Sequence, residues 1–464
     1  MAWAFFLVYA VLTAFLAWRG GRNSGSSEGF AIGDGKMSPW VAGITLGASL
    51  ASSATFVIMP GFVYNEGLAA LMGFGPPFIA GIALGLLVFS KRFQSLGAQF
   101  KALTVPHWLG SRYESFGLRR LFGALNILNV AYLVLITVGC GYVMEAALGV
   151  PYRWSVIGIV LFVFGYTGFG GATAHAYTNT AQGLVMLVVS VAIALSGVEL
   201  APQAVSSLLE SGLTVPDSKL FSTPWEVWVV PFFMGVALTT QPHLLAKSLY
   251  VDGAANARKT VWVALACYLV FSSVLLAGVW GRVSIEAGVP TDKFMAAYLQ
   301  QAFTWEPLSA LVTVAILAAS MSTLDGLLVA ISASVSGDLI PERASVAMNR
   351  LVLAALAGLT IWMALSPPQL VLILGQQGVY GLVAASSGPL LAGFFLPGRL
   401  NAKVAVVSAV VALALHFGLG QTVIQNPGVS AVLAMAVSVP LALLLGRVGV
   451  DQTHGADTEE LAAK

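Results

Sequence analysis

Long runs of apolar residues constrain this chain more than any other feature of its sequence. A helix of about 20 such residues spans the hydrocarbon core of a bilayer, and runs of that length recur along the whole sequence. With 58% hydrophobic residues, 9% charged residues and a mean hydropathy of +0.87, few residues remain for a soluble domain. We therefore predict an all-α integral membrane protein that lies in a lipid bilayer. Its net charge of +2 is too small to indicate a nucleic acid partner.

The apolar runs predict about 13 transmembrane helices, here called spans 1 to 13. No basic residue precedes the first run, so we interpret it as a retained span and not as a signal peptide. We expect residues 1–447 to form one transmembrane domain and residues 448–464 a short cytoplasmic tail. The predicted spans lie at residues 2–18, 38–62, 68–90, 119–147, 152–169, 176–198, 226–247, 260–281, 306–336, 349–366, 370–396, 402–419 and 428–446.

The basic residues fall mainly on one side of the membrane when these spans alternate in direction. Most of the 22 Lys and Arg residues, Lys247 among them, lie on the side opposite the N-terminus. Because cytoplasmic loops carry the excess of Lys and Arg, the pattern predicts an outside N-terminus and an inside C-terminus. The basic residues on the N-terminal side are Arg153, Lys219, Arg282 and Lys293.

Span 2 interrupts its own apolar pattern with small and hydroxylated residues over positions 45–61. Irregular backbone at membrane depth is tolerated only where it is buried in protein or lines a cavity, because unpaired N–H and C=O groups are costly in hydrocarbon. A break here would expose carbonyl oxygens that can bind a cation. The alternative is that the small residues let two helices pack closely.

Span 7 is interrupted in the same way, because Pro242 removes a backbone donor and should end or kink a helix near Gln241. Spans 2 and 7 lie five spans apart, so two five-span units that begin there would have opposite orientations. Interrupted segments at matching positions are typical of transporters built from inverted repeats. We predict that spans 2–6 and 7–11 are the repeats and that spans 1, 12 and 13 are peripheral. Two unrelated kinked helices are the alternative.

Span 9 carries Ala319, Ser322 and Thr323 at positions i, i+3 and i+4, which lie on one face of a helix. One carbonyl and two hydroxyls on a shared face form a neutral shell of oxygen ligands, which suits an alkali cation better than a soft metal. Alternatively, the hydroxyls bond to carbonyls of their own helix or of a neighbouring helix.

Several segments resemble the sodium/solute symporter family, whose members have the inverted-repeat fold of the leucine-transporter type. The resemblance lies in residues 48–61, 170–182, 241–243, 319–325, 336–338 and 381–395. It implies that sodium is the co-transported ion. It further implies that Ala48, Ala51 and Ala319 offer backbone carbonyls to sodium and that Ser322 and Thr323 offer hydroxyls.

The sequence departs from the family pattern at Thr178 and Asn179, where the family usually has Thr-Asp. An amide keeps an oxygen ligand but loses the charge, which puts a second sodium site or an exit station in question. Asp325 lies within span 9, and intramembrane acids are functional candidates. We therefore assign Asn179 and Asp325 to an ion pathway. The alternative is that Asp325 is a neutral or paired structural acid.

In this fold the organic solute would bind beside the breaks in spans 2 and 7. Exposed N–H groups of half-helices favour a carboxylate, which points to a monocarboxylate, a pantothenate-like anion or an amino acid. A sugar or another neutral polyol remains an alternative. The candidate contacts are Ser52, Ser53, Thr55, Phe56, Tyr142, Thr239, Thr240, Gln241, Gln376, Gln377 and Tyr380.

We therefore predict a sodium-coupled secondary active symporter in the inner (plasma) membrane that imports a small organic solute by alternating access. The sequence has no phosphate-binding loop, metal cluster or nucleophile with a partner base, so it does not indicate an enzyme. One rival is a proton-coupled carrier that uses Asp325. The other is a sensor of the same fold that binds solute without transporting it.

Overall fold

The computed structural model describes residues 2–21, 26–33, 35–367, 371–422 and 424–447. Within these residues the chain is built from helices, and its extended pairing is a single antiparallel bridge between Leu400 and Arg447. The prediction of an all-α membrane protein is confirmed at this level. The predicted tail, residues 448–464, lies outside the described residues.

Twenty α-helices follow one another along the described chain. They are α1 (Ala2–Gly21), α2 (Ser27–Ile32), α3 (Pro39–Leu50), α4 (Met59–Phe74), α5 (Pro76–Phe100), α6 (Val105–Arg112), α7 (Phe116–Leu125), α8 (Val130–Leu148), α9 (Tyr152–Leu195), α10 (Ala201–Glu210), α11 (Val230–Leu238), α12 (Pro242–Leu245), α13 (Gly253–Ser272), α14 (Leu276–Ser284), α15 (Phe294–Ala302), α16 (Glu306–Ser334), α17 (Val346–Ala364), α18 (Val371–Phe395), α19 (Ala402–Thr422) and α20 (Pro427–Leu445). Short segments of π-helix lie at Ala54–Ile58, Trp225–Val229 and Val335–Leu339. Short segments of 3-10 helix lie at Asn126–Asn129, Val198–Leu200, Ala246–Tyr250, Ser273–Leu275 and Pro341–Arg343.

Ten helical stretches in the described residues are long and apolar enough to cross a membrane, or 11 if one bent pair counts as a span. Two of these stretches, Ala54–Phe100 and Tyr152–Glu210, are 47 and 59 residues long. At about 1.5 Å per residue each is far longer than the ~30 Å hydrocarbon core. Gly171, with φ 57°, interrupts the helical conformation inside α9. The predicted count of 13 spans stays a prediction.

Both predicted helix breaks are present. Helix α3 ends at Leu50, Ala51 adopts φ −99° and ψ 91°, and regular helical structure resumes in the π-helix Ala54–Ile58. Helix α11 ends at Leu238, and Gln241 adopts φ −58° and ψ 137° before Pro242. Proline disfavours the helical conformation in the residue before it, which explains the position of the second break. The two parts of this second helix meet at an angle of 57°.

Helix α16 lies at the centre of the bundle. Of its most apolar 18 residues, 94% are buried, and it packs against α1, α3, α8 and α9. A helix that is apolar on every side belongs in the interior, so the hydroxyls of α16 must find partners inside the protein. Helices α19 and α20 pack against α18 at one edge.

The broken helix α11 lies unusually close to α5 because glycines on both sides lack side chains. A Cβ atom at Gly81 would lie 2.1 Å from the Phe232 carbonyl oxygen, and one at Gly235 would lie 2.4 Å from the Phe78 carbonyl oxygen. Small residues allow backbones to approach closely in membrane bundles. This contact fixes the position of the second break relative to α5.

Candidate functional site

The break after α3 faces the hydroxyl-bearing side of α16. The Ser322 hydroxyl lies 3.1 Å from the Ala48 carbonyl oxygen and 2.7 Å from the Ala319 carbonyl oxygen. The Thr323 hydroxyl lies 3.5 Å from the Ser49 carbonyl oxygen. All these residues are buried. The structure therefore brings together Ala48, Ala319, Ser322 and Thr323, and it places Ala51 at the end of the helix that carries Ala48.

The partner of Thr323 is a carbonyl that the sequence did not indicate. Its position depends on how α3 is rotated relative to α16, and the helical repeat within either segment contains no information on that rotation. Ser49 belongs to the interrupted stretch of span 2, so the sequence shows its hydroxyl as a candidate ligand. Every residue has a backbone carbonyl, however, and nothing in the sequence marks that of Ser49.

Asn179 on α9 lies directly beside these oxygens. Its amide nitrogen donates to the Ser322 carbonyl over 2.9 Å and to the Ser49 hydroxyl over 3.2 Å. Its amide oxygen is buried and has no hydrogen-bond partner among the described residues. Since buried polar atoms are nearly always paired, this oxygen is available to a bound ion or water. The chain thus brings α3, α9 and α16 to one point.

Asp325 has its own partners and does not face the α3 break. Its carboxylate lies 2.8 Å from His175 Nδ1, and it accepts hydrogen bonds from the Tyr166 and Thr178 hydroxyls over 3.1 and 3.3 Å. Asp325 is thus paired in this structure, and its assignment to an ion pathway stays a prediction. Within the described residues no group of three His, Cys, Asp or Glu side chains could hold a metal ion. The oxygens at the break are neutral ligands, as an alkali cation prefers.

A central cavity lies between the two helix breaks. Four of the predicted solute contacts line it, namely Thr55, Gln241, Gln376 and Tyr380. Among the described residues that line it, none is Lys, Arg, Asp or Glu. Four further polar residues in the lining were not predicted, and they are Ser49, Tyr132, His243 and Tyr268.

Three polar atoms in this lining have no hydrogen-bond partner among the described residues. They are Oε1 of Gln241, Oε1 of Gln376 and Nδ1 of His243. The three residues are 3%, 9% and 3% exposed. Leaving a buried acceptor unpaired costs about 1–3 kcal/mol, so the cavity is suited to a molecule that supplies hydrogen-bond donors. Apolar side chains, among them Met59 and Phe78, form much of the remaining wall.

The other predicted solute contacts do not line the central cavity. Thr239 and Thr240 lie at the end of α11 and donate to the Val236 and Ala237 carbonyls, each over 2.7 Å. Serine and threonine hydroxyls in a helix commonly donate to carbonyls three or four residues earlier in the chain. The Thr239 and Thr240 hydroxyls do so here, and neither residue lines the cavity. Gln377 does not line the cavity either, and its backbone carbonyl oxygen lies 3.0 Å from His416 Nε2.

Four residues from spans 2 and 4 have other partners as well. The Ser52 hydroxyl lies 2.9 Å from the Tyr132 hydroxyl, and the Ser53 hydroxyl lies 3.5 Å from the Ile136 carbonyl oxygen. The Phe56 ring packs against Phe271 with a centroid distance of 6.1 Å, and the Tyr142 ring packs against Tyr152 at 5.0 Å. Ser52 still acts on the cavity through Tyr132, which lines it.

Two smaller cavities adjoin the central one. One lies beside α6 and shares His243 with the central cavity. The other lies beside Phe221 and Glu226, and it shares Met59, Phe78, Gln376 and Tyr380 with the central cavity. His243 therefore stands between the central cavity and the one beside α6, and the four shared residues stand between the central cavity and the other.

Next to the cavity beside α6 lies a group of polar contacts that we call the α6 latch, of which Thr104 lines the cavity. Thr104 and Arg119 each approach the buried Asp338 carboxylate to 2.7 Å. Arg112 donates to three carbonyls just at or after the end of α18, including that of Leu396 over 2.6 Å. In the same segment, burial and then the charge of Arg119 lower the pKa of His107 to about 4. His107 is therefore neutral near pH 7.

Comparisons with known proteins show what the whole chain is similar to. The sequence model of the sodium:solute symporter family matches residues 30–412. The sodium/pantothenate symporter of Escherichia coli (strain K12) is 28% identical over 447 residues, which cover 90% of this chain and 89% of that protein. Sodium/proline symporter 2 of Staphylococcus saprophyticus is 24% identical, covering 82% of this chain and 78% of that protein.

Two solved structures share the fold. A substrate-bound, outward-open Na⁺-coupled sialic acid symporter aligns with a TM-score of 0.77 at 18% identity, covering 96% of this chain and 97% of that one. A nucleobase-cation-symport-1 family transporter aligns with a TM-score of 0.59 at 16% identity, covering 88% and 91% of the two chains. At these identities the likeness concerns the fold alone.

Proposed function

Because this chain belongs to the sodium:solute symporter family, we propose that it imports a small organic solute together with sodium by alternating access. Sodium would bind where α3 breaks against α16, and the solute would bind in the central cavity. The observation that carries this proposal is the convergence of the Ser322 hydroxyl on the carbonyls of Ala48 and Ala319. Members of this family are transporters and not enzymes.

The proposed sodium shell consists of five oxygens. The Ser322 hydroxyl is within hydrogen-bond distance of the Ala48 and Ala319 carbonyls, which holds these oxygens close together. A sodium ion between them would take the same oxygens as ligands, and the hydroxyl hydrogens would turn outward. The ligands would be the carbonyls of Ala48, Ala51 and Ala319 and the hydroxyls of Ser322 and Thr323. The Asn179 amide oxygen would add a sixth oxygen at the same point.

We propose that the membrane arrangement is the predicted one, with 13 spans, an outside N-terminus, an inside C-terminus and repeats formed by spans 2–6 and 7–11. Two observations support it. The helix breaks lie in the first helix of each repeat, and the lengths of Ala54–Phe100 and Tyr152–Glu210 suit two crossings each. Residues 1–447 would form the transporter domain in the inner (plasma) membrane, with residues 448–464 as its cytoplasmic tail.

The central cavity favours a solute that combines an apolar body with several hydrogen-bond donors. The unpaired oxygens of Gln241 and Gln376 are hydrogen-bond acceptors. An ionised simple monocarboxylate has no donor to offer them. A pantothenate-like anion offers hydroxyl and amide donors, and an amino acid offers its ammonium group. Relatives that are named as symporters of pantothenate and of proline support the same choice.

Uptake into proteoliposomes with an inward sodium gradient tests the proposal. The panel would contain pantothenate, proline, other amino acids, simple monocarboxylates and sugars, each assayed with sodium, with potassium, and with a proton gradient alone. We expect sodium-dependent uptake of a solute rich in donors. Uptake driven by the proton gradient without sodium would favour the proton-coupled carrier, and binding without uptake would favour the sensor.

A further inference from the structure

Three ionisable side chains form a buried cluster between the proposed sodium shell and the central cavity. They are His175 on α9, Asp325 on α16, and Lys247, which follows the second break, and they are at most 2% exposed. Lys247, assigned with the basic residues of the inner side from its place in the sequence, is 1% exposed and lies within the bundle. Neither the proposed sodium shell nor the cavity lining includes these three residues.

One side of the cluster adjoins the sodium shell. Asp325 follows Thr323 by two residues on α16, and its carboxylate accepts from the Thr178 hydroxyl over 3.3 Å. Thr178 precedes Asn179, whose amide nitrogen donates to the Ser322 carbonyl over 2.9 Å. The cluster is therefore joined to the shell through α16 and through α9.

The other side of the cluster adjoins the central cavity. The Lys247 ammonium donates to the His243 carbonyl over 2.6 Å, and His243 lines the cavity with an unpaired Nδ1. Both residues belong to the second half of the broken helix, residues 242–250, which begins immediately after Gln241. Any shift of Lys247 therefore moves polar groups that face the solute.

The two sides meet at Gly326, where the absence of a side chain lets His175 and Lys247 approach the backbone of α16 closely. A Cβ atom at Gly326 would lie 3.3 Å from His175 Nε2 and 3.4 Å from Lys247 Nζ. Because His175 Nδ1 faces the Asp325 carboxylate, Nδ1 carries the proton and Nε2 is an acceptor. This Nε2 has no partner among the described residues. Lys247 has three donors, and its Nζ lies on the same side of Gly326 as this acceptor.

We propose that Lys247 is the positioning residue that couples the sodium shell to the solute cavity. The Lys247 amine and the Asp325 carboxylate are both buried, and they lie around the same stretch of α16. Moving residues 242–250 away from α16 would therefore leave buried polar groups without their present surroundings, which is costly. The second half of the broken helix and α16 therefore move together. Sodium that orders α16 at Ser322 and Thr323 also orders Gln241 and His243, which raises the affinity for solute. This inference rests on the proposed function.

Hydrogen–deuterium exchange of the full-length protein tests the coupling, with sodium chloride as the only added ligand and potassium chloride as the reference. In the native protein we expect sodium to slow exchange of residues 319–325 and also of residues 239–250, the latter by about fivefold or more. In Lys247→Met we expect the protection of residues 319–325 to remain and that of residues 239–250 to disappear. Lys247→Arg keeps the charge and should restore it in part.

Two further variants decide the outcome. Gly326→Ala keeps every charge but places a methyl group against His175 and Lys247. It should therefore also remove the sodium protection of residues 239–250 and keep that of residues 319–325, which tests the inference if Lys247→Met does not fold. Lys259→Met removes an exposed Lys on α13 and should behave as the native protein does. Sodium protection of residues 239–250 that is as strong in Lys247→Met and Gly326→Ala as in the native protein would overturn the inference. A native protein in which sodium does not protect residues 319–325 would contradict the sodium site itself.

Discussion

Ser322 and Ala48 are 274 positions apart in the sequence, and the Ser322 hydroxyl donates to the Ala48 carbonyl over 3.1 Å. This contact joins the most buried helix of the bundle to the break in α3. A carbonyl at a helix break and a hydroxyl on a buried helix are each common. Their convergence at one buried point gives the neutral oxygen ligands that a sodium ion requires, and the first two predictions below concern this point.

Replacing both hydroxyls, in Ser322→Ala with Thr323→Ala, should abolish sodium-driven uptake while expression and folding persist. A hydrogen-bonding group that faces a charge contributes about 1.5–3 kcal/mol, so each single variant should weaken the apparent sodium affinity about tenfold or more. The measurement is uptake against sodium concentration. Ser332→Ala is the control, because that hydroxyl on the same helix donates to the Val329 carbonyl. Unchanged sodium dependence in the double variant would refute the site.

Asn179→Asp should tighten sodium binding and make stability depend on sodium. The carboxylate would place a negative charge beside Ser322, and the cost of burying that charge would be offset when sodium binds. We expect the thermal unfolding temperature to rise with sodium more steeply than in the native protein, with potassium as the reference. Asn349→Asp is the matched control, because Asn349 is equally buried but lies on α17. An equal response of both variants would exclude a role of Asn179 at the ion.

Gln376→Leu should raise the KM for solute about five- to tenfold, because it removes an acceptor that contributes ~1 kcal/mol or more to a bound donor. The neighbouring variant Gln377→Leu should leave KM nearly unchanged, since Gln377 does not line the central cavity. Initial uptake rates at saturating sodium measure both. Similar losses in the two variants would show that the cavity is not where the solute binds.

The α6 latch should contribute to stability through a buried pair. Arg119→Ala leaves the Asp338 carboxylate, which is fully buried, without its cationic partner, and breaking a buried pair typically costs about 3–5 kcal/mol. We expect a lower thermal unfolding temperature in detergent. Arg120→Ala breaks the exposed pair with Glu342 and should cost ~0–1 kcal/mol. Equal effects of the two variants would argue against the latch.

His107 should make the protein less stable in mild acid. Burial, and then the charge of Arg119, lower its pKa from 6.5 to about 4 in the folded protein. Between these two values the unfolded chain binds a proton that the folded protein does not, so stability falls as pH decreases from about 6.5 towards 4. His107→Gln removes this contribution. Its unfolding temperature should therefore fall less between pH 7 and pH 5, and an identical fall would contradict the assignment.

Much of the fold followed from local patterns in the sequence. The length of the apolar runs determined an all-helical membrane protein, and Pro242 determined where the second helix breaks. The spacing of Ala319, Ser322 and Thr323 determined that they share a face of α16. Each of these properties depends on residues within one or two helical turns, so the periodicity of the sequence contains it.

The partners of those residues were decided by the tertiary structure. The sequence did not show that Thr323 faces the Ser49 carbonyl, that Asp325 is paired with His175, or that Lys247 is buried. Nor did it separate Gln376, which lines the cavity, from Gln377, which does not. Contacts between spans depend on how each helix is rotated and shifted against its neighbours. That arrangement is set by the packing of side chains more than 100 positions apart, and no local repeat specifies it.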